Sequence, residues 1–286
     1  MTRCEVCFRH CDLREGQIGF CGARIGLDGK VVASNYGRIT SIALDPIEKK
    51  PLSRFFPGTK ILSVGSYGCN LRCPFCQNYE ISWSEEAMRL AGTSEYLEPD
   101  RLVFLAEEYR SEGNIGIAFT YNEPLVGYEF VEDTARLAHA KGLKNVMVTN
   151  GTAEIAILER LSPYIDAMNI DLKGFTDRYY RDVLGGDRKM VMDFIEAAVK
   201  NCHVELTTLI IPGENDSPEE MRELASWVAG LLDKEGNMVG KEIPLHISRF
   251  FPRFHMTDRA ATDVEHIYAL KRIAGEKLKF VYTGNC

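Results

Sequence analysis

Long apolar runs are missing from this 286-residue sequence. No segment approaches the roughly eighteen apolar residues of a membrane span, and the first residues contain no apolar stretch of signal-peptide length. Internal repeats and low-complexity tracts are also absent. A formal net charge of −7 provides no general excess of positive charge that would attract nucleic-acid phosphates or anionic membranes. These absences predict a cytoplasmic protein without a nucleic-acid or membrane partner.

Cysteine is the most informative residue type in the chain. In a reducing compartment, nine cysteines indicate metal ligands rather than disulfides. Cys69, Cys73 and Cys76 are spaced as C-x3-C-x2-C, and no fourth cysteine follows nearby. Thiolates on a tight loop suit iron–sulfur clusters and zinc, and three ligands leave one position open for an exchangeable group. The alternatives are a zinc knuckle or three buried cysteines.

The spacing, with Phe75 just before the third cysteine, resembles the signature of the radical S-adenosylmethionine (SAM) superfamily. The resemblance implies that Cys69, Cys73 and Cys76 hold a catalytic [4Fe-4S] cluster, and that the amino and carboxylate groups of SAM chelate its open iron. It further implies reductive cleavage of SAM to methionine and a 5′-deoxyadenosyl radical, which abstracts hydrogen from a substrate. Phe75 then belongs to the cofactor site, and a reductant such as flavodoxin or ferredoxin is the expected partner.

A second group of cysteines lies within the first thirty residues. Cys4, Cys7, Cys11 and Cys21 are spaced as C-x2-C-x3-C-x9-C. Four thiolates complete a ligand set, so the group predicts either a structural zinc site or a closed auxiliary [4Fe-4S] cluster. Both interpretations stay open, with the iron–sulfur one preferred.

Short apolar runs alternate with longer amphipathic ones along the rest of the chain, which is typical of strand–helix units. Strands are predicted at residues 61–65, 115–119, 145–149, 167–171, 203–210, 244–248 and 279–282. Helices are predicted at residues 99–112, 125–141, 153–161, 189–202, 218–233 and 262–276. This pattern predicts an α/β fold: a partial (β/α)6 TIM-like barrel over residues 56–286, with a small cysteine-rich lobe over residues 1–55.

Polar residues follow the second predicted strand of the barrel. Residues 120–124 read Thr-Tyr-Asn-Glu-Pro, one strand–helix unit after the cysteine loop. At this place the superfamily carries a Gly-Gly-Glu-Pro-like motif that binds the SAM amino group, and Asn122 and Glu123 match it. The alternative is a polar turn before a helix.

Two further strand ends resemble motifs of the glycyl-radical-enzyme activases. Thr149 and Asn150 resemble part of Asp-Thr-Asn-Gly, with Val148 in the aspartate position, and Asp171 and Lys173 match Asp-x-Lys. In the activases the two aspartates help to hold a monovalent cation beside the SAM carboxylate, so Val148 removes one of its ligands. Residues two apart in a strand share a face, which lets Asp171 and Lys173 act together. A surface ion pair is the alternative.

The last complete strand carries His246. It resembles the histidine of the activases' Pro-Tyr-His stretch, which implies a contact with the SAM adenosine. A hydrogen-bonded core histidine is the alternative interpretation.

The resemblance extends over nearly the whole chain. The amino-terminal lobe and the matching segments are similar to the radical SAM member of the AmmeMemoRadiSam group, which is related to pyruvate formate-lyase activating enzymes. The matching segments are residues 45–52, 56–59, 76–78, 120–124, 211–216 and 248–250. Longer relatives continue into a C-terminal Cys-x2-Cys segment, whereas this sequence stops at Cys286.

Three functions are compatible with these motifs. The preferred one is a radical SAM enzyme that abstracts hydrogen from an undefined substrate. The second is an activase that removes hydrogen from a backbone glycine of a partner protein. The third is an iron–sulfur electron carrier. It is the least favoured, because a carrier does not need the open iron that a three-cysteine ligand set leaves.

Overall fold

A computed structural model describes the backbone of residues 1–286 and every side chain except that of Leu90. The strands are β1 (Thr2–Arg3), β2 (Asp12–Leu13), β3 (Arg24–Leu27), β4 (Lys30–Ala33), β5 (Arg38–Ile39), β6 (Ser41–Pro46), β7 (Lys60–Gly65), β8 (Glu95–Tyr96), β9 (Asn114–Phe119), β10 (Lys144–Thr149), β11 (Ala167–Asp171), β12 (His203–Ile210), β13 (Leu245–Arg249) and β14 (Val281–Gly284). The α-helices are α1 (Tyr79–Ser82), α2 (Glu85–Ala91), α3 (Pro99–Glu108), α4 (Tyr128–Ala140), α5 (Ile155–Leu161), α6 (Arg188–Ala198), α7 (Pro218–Ala229) and α8 (Val264–Gly275).

The main sheet has eight strands in the order β14-β13-β12-β11-β10-β9-β7-β6. Strands β7 and β9 to β14 are parallel, and their order in space follows the chain. Such an order arises when each crossover returns the chain to the adjacent position on the sheet. The predicted α/β fold is confirmed, and each predicted barrel strand is present within two residues of its expected limits.

Strand β6 was not predicted from the sequence. It pairs antiparallel with β7 and forms one edge of the main sheet, opposite β14. Only one of its six residues, Asp45, is buried, so β6 lacks the run of buried apolar residues that marks the parallel strands. Because residues 41–46 belong to the main sheet, we propose that the lobe ends near residue 40 rather than at residue 55.

The segment of residues 47–58 crosses the concave face of the sheet near the starts of the parallel strands. Asn169 in β11 donates to the carbonyl of Pro51, and Glu205 in β12 accepts from the backbone amides of Ser53 and Arg54. A small apolar cluster joins this segment to four strands through Ile47, Leu52, Phe55, Ile61, Ala118, Val146 and Ala167. The sheet therefore curves around segment 47–58, which fills the amino-terminal end of an incomplete barrel.

The helices pack on the convex face and bury the main core between themselves and the sheet. Among the described residues, no helix is both long enough and apolar enough to span a bilayer.

Candidate functional site

The cysteine loop, residues 66–78, follows β7 at the carboxyl end of the sheet. The side chain of Asn122 fixes its beginning: Oδ1 accepts from the backbone amide of Ser66 at 3.0 Å, and Nδ2 donates to the carbonyl of Tyr67 at 3.1 Å. The end of the loop is held by Asn78, which donates to the carbonyl of Tyr121 at 2.9 Å. The segment that follows β9 therefore sets the conformation of the loop.

The three cysteines of the loop differ in exposure. Cys73 is buried in the main core, whereas Cys69 and Cys76 are partly exposed and pack against it. Burial raises the pKa of the Cys73 thiol to about 12. Because the thiolate is the metal-binding form, Cys73 must lose its proton when a metal binds, and a positively charged ligand would stabilise the resulting negative sulfur.

The separation of the three thiols distinguishes between a single metal ion and a cluster as their ligand. Among the described residues, no group of three or more Cys, His, Asp or Glu side chains is arranged to hold a single metal ion. A single zinc ion needs sulfurs within about 2.3 Å of one point, whereas a [4Fe-4S] cluster distributes its thiolates over separate irons. The residues present therefore fit the cluster better than one ion.

Glu123 joins the ends of two strands. Its side chain is buried; Oε1 accepts from Thr149 Oγ1 at 2.6 Å and Oε2 from the Asn150 amide at 2.7 Å. Burial raises the pKa of Glu123 to about 7, although the hydrogen bonds oppose this rise. Through these hydrogen bonds, the carboxylate of Glu123 holds the ends of β9 and β10 together. Its contact with the SAM amino group stays a prediction.

Asn150 reaches the first cysteine. Its Nδ2 lies 3.8 Å from Cys69 Sγ and donates to Asn70 Oδ1 at 2.9 Å. Its Oδ1 accepts from the backbone amide of Thr152, which fixes the orientation of the amide group. The predicted residues Thr149 and Asn150 thus lie at the cysteine loop, one bonded to Glu123 and the other to Cys69.

Lys173 brings a positive charge to the second cysteine. Its Nζ lies 2.7 Å from Asp171 Oδ2. Burial disfavours the charged amine, but Asp171 and Cys73 outweigh it and raise the pKa of Lys173. The predicted Asp-x-Lys pair is therefore formed next to Cys73, where a cation stabilises thiolate charge.

Phe75 and His246 occupy different surroundings. Phe75 is buried in the main core. His246 is the second residue of β13; its Nε2 lies 2.7 Å from Glu205 Oε2, and its ring stacks on Tyr282. Glu205 also accepts from His203. His246 thus lies near the start of its strand, and its contact with the adenosine stays a prediction.

A polar network lies on the concave face of the sheet and includes Asp45 and Lys50, for which the sequence predicted no role. Tyr121 donates its hydroxyl proton to Asp45 Oδ2 at 2.8 Å, and Lys50 Nζ lies 2.9 Å from the same oxygen. Tyr121 adopts a positive φ of 71°, which is uncommon for a residue with a side chain. Tyr121 stands where the superfamily motif has glycine. This replacement of glycine is the one feature of the sequence that could have drawn attention to Tyr121.

A second segment covers the cysteine loop from the other side. The backbone amide of His255 donates to the carbonyl of Pro74 at 2.8 Å. Phe254 stacks on Tyr79, with ring centroids 4.2 Å apart, and also has a positive φ. Residues 250–256, between β13 and α8, therefore form part of the site.

Tyr121→Gly is expected to be more stable than Tyr121→Ala by about 1 kcal/mol, because only glycine adopts a positive φ without steric cost. Both variants lose the ring and the hydroxyl, so their difference isolates the backbone. Urea unfolding measures it.

Arg136, an exposed position in α4, provides the control for this comparison. There the order should reverse, since glycine in a helix is less stable than alanine by about 1 kcal/mol. Equal or reversed stability of the two Tyr121 variants would show that the backbone is not strained there.

The four lobe cysteines, Cys4, Cys7, Cys11 and Cys21, line one pocket. Burial raises the pKa of the Cys7 thiol to about 11. The lobe adjoins the cysteine loop, because the carbonyl of Cys21 accepts from the backbone amide of Cys69 at 3.0 Å.

The sequence model of the radical SAM superfamily matches residues 63–225, which contain the cysteine loop and the ends of β9, β10 and β11. The chain belongs to the radical SAM superfamily. The match confirms the expected superfamily, and the protein is an enzyme of this class. Membership of the AmmeMemoRadiSam group stays a prediction.

Two relatives show how far the sequence similarity extends. The chain is 40% identical to an uncharacterized protein of Methanocaldococcus jannaschii, over 99% of this chain and 81% of that protein. It is 27% identical to the pyruvate formate-lyase-activating enzyme of Clostridium pasteurianum, over 63% of this chain and 73% of that enzyme.

Solved structures share the fold. TYW1 with a lysine-pyruvate adduct bound aligns with a TM-score of 0.55 and 16% identity, over 83% of each chain. Streptococcus suis SuiB bound to S-adenosylmethionine aligns with a TM-score of 0.57 and 13% identity, over 79% of this chain and 52% of that one. At such low identity the likeness concerns the fold alone, and it agrees with the partial barrel.

Proposed function

We propose that Cys69, Cys73 and Cys76 hold a [4Fe-4S] cluster and that SAM binds beside it, at the carboxyl ends of β9 to β11. One observation carries the proposal: three strand ends converge on the cysteine loop. The Glu123 amide donates to the Gly68 carbonyl at 3.1 Å, Asn150 Nδ2 lies 3.8 Å from Cys69 Sγ, and the charge of Lys173 acts on Cys73. Barrel enzymes place their chemistry at this end of the strands.

The chain's own residues prepare the site. Asn122 fixes the start of the cysteine loop, Asn150 orients Cys69, and Lys173 offsets negative charge at Cys73. A [4Fe-4S] cluster held by the three thiolates would supply the electron for reductive cleavage of SAM and hence the means of hydrogen abstraction from the substrate. Asp171 keeps Lys173 charged and holds its amine next to the loop.

The substrate of this proposal enters the concave face of the barrel. Tyr121, Asp45 and Lys50 form a hydrogen-bonded group there, and the buried hydroxyl of Ser63 lies beside Asp45 and Tyr121. A polar interior of this kind suits a substrate with polar groups of its own, since buried polar atoms require partners. We therefore favour a polar small molecule whose identity is undefined.

An activase function is the second candidate. It is favoured by the similarity to the pyruvate formate-lyase-activating enzyme of Clostridium pasteurianum. In that case the substrate is a glycine-containing loop of a protein. A flavodoxin or ferredoxin is the proposed reductant in either case.

The proposal is tested with anaerobically reconstituted protein, SAM and dithionite. Methionine and 5′-deoxyadenosine should form in equal amounts. Addition of SAM should also change the electron paramagnetic resonance (EPR) signal of the reduced protein, a measure of binding that needs no substrate. A protein that contains the cluster but shows neither response would contradict the proposal.

Fractions of cell extract, added to the SAM-cleavage assay, distinguish a small-molecule substrate from a protein substrate. The low-mass fraction should stimulate 5′-deoxyadenosine formation if the substrate is a small molecule. Stimulation by the protein fraction alone would favour the activase.

A further inference from the structure

The pocket of the amino-terminal lobe contains more than its four cysteines. Arg24 lines the same pocket, and its side chain is 5% exposed. Its Nη1 donates to Glu129, whereas Nε makes no hydrogen bond among the described residues and the guanidinium faces the sulfur of Cys4. A buried guanidinium with an unused donor requires an acceptor, and a negatively charged group satisfies it best. The pocket is therefore built for an anionic occupant.

We propose that Cys4, Cys7, Cys11 and Cys21 hold a second [4Fe-4S] cluster. The four sulfurs complete its ligand set, so this cluster has no open iron, in contrast to the cysteine loop. The complex of four thiolates with the cluster carries a net negative charge, which Arg24 and Arg9 face from the pocket wall. The assignment does not depend on the proposed function, because every ligand comes from residues 1–21.

A cluster suits this pocket better than zinc. A tetrahedral zinc site requires four sulfurs at about 2.3 Å from one ion. Among the described residues, neither the four lobe cysteines nor the three cysteines of the loop are arranged to hold a single metal ion. Thiolates that bind separate irons of a cluster stand further apart, and the four cysteines line one shared pocket without meeting at a single point.

The proposed cluster lies next to the cysteine loop. Cys21 and Cys69 share a backbone hydrogen bond of 3.0 Å. A Cβ atom added to Gly68 would lie 2.5 Å from the Cβ of Ala23, so only glycine allows the lobe to pack this closely. Arg9, which lines the lobe pocket, donates to the carbonyl of Asn70 at 3.0 Å in the loop. The two cysteine groups therefore form one continuous structure.

Metal analysis of a loop variant tests the proposal without altering the lobe. Wild-type protein reconstituted with iron and sulfide should contain about eight irons per chain. The variant with Cys69→Ala, Cys73→Ala and Cys76→Ala should retain about four irons and the absorbance of a [4Fe-4S] cluster. About one zinc, or no metal at all, in this variant would overturn the proposal.

Two more variants complete the experiment. Cys7→Ser with Cys21→Ser should leave about four irons, those of the loop. Cys202→Ala with Cys286→Ala is the matched control and should keep about eight, since neither residue belongs to either group. If the lobe variant fails to fold, the loop variant still decides the question.

The short distance between the sites has a spectroscopic test. Fully reduced wild-type protein should show an EPR spectrum broadened by interaction between two paramagnetic clusters. The loop variant should show the narrow signal of one isolated cluster. A wild-type spectrum equal to the sum of the two single-cluster spectra would contradict the proposed adjacency.

Discussion

Cys73→Ser is expected to remove about four irons per chain and to reduce 5′-deoxyadenosine formation to background. Cys73 is the most buried cysteine of the loop, at 8% exposure, and it lies beside Lys173. Serine preserves the side-chain volume but provides no soft sulfur ligand, and two remaining thiolates do not hold the cluster. Iron analysis and chromatography of the reaction products measure both effects.

Cys202→Ser is the matched control for this variant. Cys202 packs against the same core and burial raises the pKa of its thiol, as in Cys73. Both substitutions therefore place a hydroxyl near the main core, but only one removes a proposed ligand. If Cys73→Ser kept the iron content and SAM cleavage of the control, the assignment of the loop would be wrong.

Glu205→Leu is expected to lower the free energy of unfolding by about 3–5 kcal/mol, because it leaves buried donors without their acceptor. Glu205 is fully buried and accepts four hydrogen bonds, two from histidines and two from backbone amides of segment 47–58. Urea unfolding measures the loss. The double variant Glu205→Leu with His246→Phe should recover part of the lost stability, since both members of the buried Glu205–His246 pair are then apolar.

The effect of Glu205 should depend on pH. Burial favours the neutral acid, but the hydrogen bonds from His203, His246 and the two amides outweigh it and lower the pKa of Glu205 to about 2. A lowered carboxyl pKa contributes stability that is complete above the ordinary value of 4.5 and is lost as the pH falls through about 2. The difference between wild type and Glu205→Leu should therefore shrink between pH 4.5 and pH 2. A constant difference over this range would show that the carboxylate charge is not responsible.

The sequence predicts the cysteine loop and the parallel strands because both are local features. The spacing of Cys69, Cys73 and Cys76 is sufficient to predict a ligand set, and the apolar runs of β9 to β12 are long enough to define strands. The proximity of Asn150 and Lys173 to the loop then follows from the geometry of parallel strands, whose carboxyl ends share one edge.

The remaining features depend on contacts between distant segments. Asp45 and Tyr121 are 76 residues apart, and the positive φ of Tyr121 has no local sequence signal beyond its replacement of a glycine. Glu205 resembles an ordinary polar residue of a strand until segment 47–58 places two amides against it. The boundary proposed near residue 40 depends on a distant contact in the same way, because β6 is identified only by its pairing with β7.

The segment that fills the amino-terminal end of the barrel also bears on kinetics. With residues 47–58 packed across that end, molecules reach the interior from the carboxyl end, past the cysteine loop. Asp45 lies opposite Ile61 at the start of β7, so a substrate bound there, as proposed above, would lie deeper than SAM bound at the loop. We therefore propose that the substrate binds before SAM and that turnover follows a compulsory order.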